Sequence, residues 1–146
     1  MEKKEVLLLY IYLPVKEPNI VSPIQIMKGL FLASKELKLN NFYKFEPYLY
    51  GPCSFEVYQD INQLLTENLI TMIKIFPSYW AYYKITPQGA QKSRKILQTM
   101  NRELLEKLKE IKELVVNKSF IELLKYVYEK YPEYSINSII DVRAIK

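Results

Sequence analysis

Apolar residues recur at helical spacing along most of this chain and change to alternation in two short windows, one before Gly51 and one between residues 70 and 85. The first helix covers residues 2 to 13, holds the run VLLLYIYL and stops before Pro14, since proline cannot continue the hydrogen-bond ladder. VKEPNIV then reads as a loop. The second helix starts at Ser22 as N-cap, with Pro23 in the first turn and Gln25 completing a capping box, and runs to about Lys38. Its spacing turns Met27, Leu30, Phe31, Ser34 and Leu37 inward and leaves Lys28, Lys35 and Glu36 outside. LNNFYKFEPYLYGPCS alternates aromatic and polar residues, which predicts a strand or extended arm ending in a turn at Gly51-Pro52.

A third helix, capped by Ser54, turns Val57, Tyr58, Ile61, Leu64, Leu65 and Leu69 inward and presents Glu56, Gln59, Asp60, Gln63 and Glu67 on the opposite face. Asn68 stands where the helix end needs a left-handed residue. Two strands follow, ITMIKI and YWAYYKIT, with FPSY at their tip. In the second, Tyr83 and Ile85 point to one side and Tyr82 and Lys84 to the other. From Pro87 the pattern is helical again, as one helix of about 30 residues or as two with a bend near Asn101. Leu104, Leu105, Leu108, Ile111, Leu114 and Val115 form an apolar stripe beside pairs such as Glu103 with Lys107, and such a stripe needs a partner. The last helix, SFIELLKYVYEKYP, or a second subunit can supply it, and SINSIIDVRAIK ends the chain as a short helix or tail. The expected fold is therefore mainly α with a small β-hairpin wing, an α+β arrangement of residues 1 to 90 followed by a helical dimerisation region over 91 to 146.

Composition narrows the chemistry. The chain has 146 residues, 49% of them hydrophobic, enough for one core, yet it contains no histidine, one cysteine and three scattered glycines. Cys53 thus lacks an imidazole base, and no glycine-rich loop exists to cradle a nucleotide. Glu56 and Asp60, one turn apart, read as an exposed helix face rather than a catalytic pair. No catalytic residue, metal or cofactor is expected, and Cys53 is read as a small buried turn residue. VLLLYIYL is far shorter than the roughly 20 residues of a membrane helix, so a cytoplasmic location without membrane contact is expected. The five rings of Phe42, Tyr43, Phe45, Tyr48 and Tyr50 suit packing across helix faces better than stacking on a ligand.

Charge adds direction. The formal net charge is +5, and no acidic residue lies between Glu67 and Glu103, a window that holds Lys74, Lys84, Lys92, Arg94, Lys95 and Arg102. Such a window either touches phosphate or is a solvated face.

The order of capped helix, hairpin and second helix start over residues 54 to 89 resembles the winged-helix domain of PadR-like regulators. Tyr58, Ile61 and Leu64 fall at that family's Tyr-x-x-Leu-x-x-Leu positions, Asn68-Leu69-Ile70 at its Gly-Leu-Ile, and Tyr83-x-Ile85-Thr86-x-x-Gly89 at its Tyr-x-Leu-Thr-x-x-Gly. PYLYGPCS and YVYEKYPEYSINS are similar to segments of the YwgA-like winged-helix proteins. The resemblance implies a winged helix with a C-terminal dimerisation region and, for the PadR-like group, transcriptional repression. On this reading Gln59, Asn62 and Gln63 face bases, while Lys74, Lys84, Lys92, Arg94 and Lys95 hold phosphates of double-stranded DNA. Leu104, Leu108, Ile111 and Val115 join a homodimer, and the sequence names no small-molecule effector. Against it stand the carboxylates of the third helix and a wing tip, FPSYW, without Arg or Lys. Both features also suit a protein-interaction module, an adaptor or antitoxin-like protein.

Overall fold

The computed structural model describes residues 1 to 77 and 81 to 142, so the wing-tip positions Ser78, Tyr79 and Trp80 lie outside the described residues. Helix α1 (Lys3–Tyr12) opens with a capping box between Glu2 and Glu5 and ends as Leu13 leads into Pro14. It buries every residue from Val6 to Ile11, as a helix apolar on all sides must. Helix α2 (Pro23–Glu36) starts with the predicted Ser22 box, whose hydroxyl accepts from the Gln25 amide. One expectation for α2 fails: Lys28 is only 3% exposed, because its ammonium donates to the Pro52 carbonyl of the neighbouring hairpin at 3.0 Å. The aromatic-rich stretch makes that hairpin from β1 (Glu46–Tyr48) and β2 (Gly51–Cys53), with Gly51 at φ +90 in the turn.

Helix α3 (Phe55–Thr66) and the antiparallel pair β3 (Ile70–Lys74) and β4 (Ala81–Ile85) follow, and Val21 bridges to Tyr83 on the outer edge of β4. Asn68 takes φ 60 at the turn out of α3, as its short polar side chain permits. Thr86 joins this turn to the next helix: its hydroxyl donates to the Asn68 carbonyl and accepts from the Gly89 amide, capping α4 (Pro87–Thr99). Gly89 passes so close to the Leu69 carbonyl that a Cβ there would lie 1.9 Å from its oxygen, so no side chain fits. The protein is thus mainly helical with a small hairpin wing.

The long C-terminal pattern resolves into two helices, because Asn101 caps a new one by accepting from the amides of Glu103 and Leu104. Helix α5 (Arg102–Val116) packs on α2 and α1, and α6 (Phe120–Lys130) leads through a 3-10 turn (Pro132–Ser135) back to the hairpin. Phe31 of α2 sits among the rings of Phe45, Tyr131 and Tyr134. Lys112 fastens α5 to α1: fully buried, its ammonium donates to the carbonyls of Ile11 and Leu13 and to Asn19 Oδ1. These bonds satisfy helix-end carbonyls that have no partner within α1.

This packing already covers, within one chain, the α5 stripe expected to join a homodimer through Leu104, Leu108, Ile111 and Val115. Leu108 and Val115 are fully buried and Ile111 nearly so within a single chain, with Leu104 and Leu105 half-buried beside them. The partner the stripe requires is chiefly α2. One apolar cluster runs from Val6 to Val142, so residues 91 to 142 share a core with the winged helix. Among the described residues no helix is long and apolar enough to cross a membrane.

Candidate nucleic-acid interface

Helix α3 shows two strips of different character. Glu56, Asp60 and Glu67 lie along one flank, and each has a partner from elsewhere in the chain. Lys3 Nζ reaches Glu56 Oε2 at 2.6 Å, and Lys4 Nζ reaches Glu67 Oε1 at 3.0 Å. The Tyr43 hydroxyl donates to Asp60 Oδ2 at 2.6 Å. Burial, and then this bond to Asp60, push the ionisation of Tyr43 well above the usual tyrosine range, so the ring remains a donor. Of the carboxylates that the sequence set against an anionic partner, Glu56 and Glu67 are therefore paired with α1, and Asp60 with Tyr43 of the segment before β1.

The second strip carries no charge. Phe55, Gln59, Asn62 and Thr66 follow one another at helical spacing, all exposed, with Gln63 exposed beside them. The structure thus brings the three proposed base-facing residues, Gln59, Asn62 and Gln63, onto an arc of about 100°. Two expectations for α3 change. Tyr58 is 40% exposed rather than inward, standing on the shoulder of the helix near Cys53 and Tyr83. Ser54 occupies the N-cap position, but its side chain makes no capping hydrogen bond.

The cations do not form a single band. In the wing register Lys74 lies opposite Ala81 and Lys84 opposite Thr71, and alternation then sends the two lysines to opposite faces of the hairpin. Lys74 shares its face with Met72 and Tyr83. Lys84 shares its face with Tyr82, which lines a depression against the starts of α2 and α6. On α4 the buried Ser93 and Ile96 define the inner side. Lys92 and Lys95, three apart, take one flank, and Arg94 the other. Lys92 lines a recess of about 170 Å³ with Glu2, Lys4 and Leu64, next to the foot of α3. All five cations are exposed, and among the described residues none of them enters an ion pair.

Sequence reasoning missed Lys3, Lys4 and Tyr43 as parts of this surface. Lys3 and Glu56 are 53 residues apart and Lys4 and Glu67 are 63 apart, so only folding makes them neighbours. It also missed an uncharged surface around the hairpin turn, where Tyr48, Leu49 and Tyr50 are a little under half-exposed and Phe55, Ile136 and Ile139 are largely exposed. The Tyr48 and Phe55 rings meet edge to face, and the Ile139 amide donates to the Leu49 carbonyl, so these residues form one patch. Cys53 is a half-buried free thiol at the edge of β2. A scan of family models finds none that matches this chain, and a search of curated proteins finds no match either.

Proposed function

We propose that the protein is a winged-helix DNA-binding protein, a transcriptional regulator that acts as a homodimer on a palindromic site. The observation that carries this reading is the division of α3: its ridge of Gln59 and Asn62 is uncharged and exposed, while its three carboxylates are held on the other flank by Lys3, Lys4 and Tyr43. A helix that enters the major groove must bring amide side chains to base edges without setting bare carboxylates against phosphate. Lys92 and Lys95 on α4, with Lys74 on the wing, supply cations, and half-sites on DNA would lie about 34 Å apart. The stripe on α5 is not the two-fold contact of this reading, since its central residues lie inside one chain.

The test is fluorescence anisotropy of a labelled random duplex at low and at moderate salt. Micromolar or tighter binding that weakens steeply with salt supports the reading, and no binding at low salt overturns it.

A second reading has its own support, the uncharged patch around Tyr48, Leu49, Phe55 and Ile139. Exposed apolar residues gathered in one place mark protein contacts, so a protein-interaction module is the alternative. Leu49→Asp with Ile139→Asp would then abolish partner capture and leave duplex binding untouched.

A further inference from the structure

The N-terminus of α3 opens into a surface depression of about 520 Å³ between the start of α1, residues 41 to 48 and the hairpin. We infer that this depression seats a phosphodiester of the DNA backbone at the start of the α3 ridge. The inference rests on the DNA-binding reading and adds a contact that the basic window did not suggest.

Three observations carry it. Ser54 lines the depression and is 5% exposed, and its hydroxyl makes no capping hydrogen bond and finds no partner among the described residues, although it sits at the position from which serine usually caps a helix. The amides of Phe55 and Glu56 belong to the first turn, which has no carbonyl of its own helix to bond, so together with the hydroxyl they offer donors to one oxyanion. The local charge agrees. Lys44 lines the same space, the buried Lys28 ammonium bonds the Pro52 carbonyl just behind the turn, and Lys3 neutralises Glu56. Glu46 is the remaining carboxylate of the lining and balances Lys44, so the lining itself is neutral and the buried Lys28 behind the turn adds the one positive charge that favours an anion.

The shape suits a chain that passes through rather than an enclosed ligand, since the depression is open and the rings of Phe42, Tyr48 and Phe55 line it. A deoxyribose packs on such rings while its phosphate takes the amides. Phe55 begins the uncharged strip, one turn before Gln59. A phosphate fixed there sets how far along the groove the amide side chains stand, the positioning role of backbone contacts.

The experiment follows the Phe55 and Glu56 amides by NMR in the full chain during titration with duplex DNA and, separately, with inorganic phosphate. It is paired with anisotropy of Ser54→Asp and Lys44→Ala. Aspartate at this position caps the helix, so Ser54→Asp holds or raises the melting temperature while repelling phosphate. The inference expects both amides to shift with duplex, affinity to fall about tenfold in Ser54→Asp, and the salt slope to fall by about one in Lys44→Ala. Duplex bound with normal affinity by both variants, without shifts at Phe55 and Glu56, overturns the site and leaves the DNA-binding reading standing. If wild-type protein binds no duplex, that reading and the backbone assignment both fail, and shifts with inorganic phosphate alone would then mark a free-phosphate site instead.

Discussion

Lys3 and Glu56 join the first turn of α1 to the first turn of α3 through a 2.6 Å contact between ammonium and carboxylate. Both side chains are partly exposed, so the pair contributes little to stability, on the order of 1 kcal/mol or less. Its effect is on the surface potential: together with Lys4 and Glu67 it removes two negative charges from the helix proposed to meet DNA.

Replacing Lys3 and Lys4 by alanine is expected to leave the melting temperature within a few degrees and to weaken duplex binding. Adding Glu56→Gln and Glu67→Gln should restore most of that affinity. Without such rescue, the two lysines act as plain cations and the pairing has no part in binding.

Alanine at Gln59, Asn62 and Gln63 should lower affinity for the cognate site by about 1–3 kcal/mol per lost base contact and leave random-duplex binding nearly unchanged. Competition between cognate and random duplexes measures the ratio. An equal loss on both would remove these residues from base reading.

The basic residues of α4 should separate by flank. Lys92→Ala with Lys95→Ala is expected to reduce the salt slope by about two, and Arg94→Ala to leave it unchanged, because Arg94 points to the other side of the helix. A drop of about one for Arg94→Ala would show that α4 lies on DNA with its opposite flank.

Leu108→Ala and Val115→Ala should act on folding, not on assembly. Leu108 is fully buried in one chain, so its truncation should cost about 2–5 kcal/mol in chemical denaturation. Sedimentation of the still-folded Val115→Ala protein should give the wild-type mass. A change of mass with unchanged stability would return the α5 stripe to a subunit interface.

Two buried lysines predict the response to pH. Burial pushes the Lys112 ammonium down to about 7 and that of Lys28 down to about 8, whereas the unfolded chain holds both protons up to the ordinary lysine value. The unfolded state therefore binds more protons between pH 7 and 10, and stability rises with pH across that window, on the order of 4 kcal/mol from about pH 7 to about pH 9 for the two groups together. Above it the buried Tyr10 and Tyr43, whose ionisation burial raises, reverse the trend. Denaturation midpoints at several pH values check the sign, and Lys112→Met should flatten the rise.

Much of the fold was legible because its signals are local. The Ser22 box, the left-handed Asn68, the alternation of β4 and the Asn101 restart each depend on residues within one or two turns. What sequence periodicity misplaced depends on distant partners. Lys28 looks outward on a helical wheel until the Pro52 carbonyl arrives from the hairpin. The α5 stripe asks for a partner but cannot say that α2 answers. The site divides in the same way: Gln59, Asn62 and Gln63 share a face by spacing alone, whereas the neutralised carboxylates beside them required two contacts across more than fifty residues.

The ammonium of Lys112 ends the first helix from ninety-nine residues downstream of Leu13. A fragment cut after residue 90 would keep every element of the hairpin module and still leave those carbonyls, and the α2 face beneath α5, open to water. The part that resembles a portable DNA reader is therefore not a separable piece, and dissecting this protein calls for point changes in the intact chain.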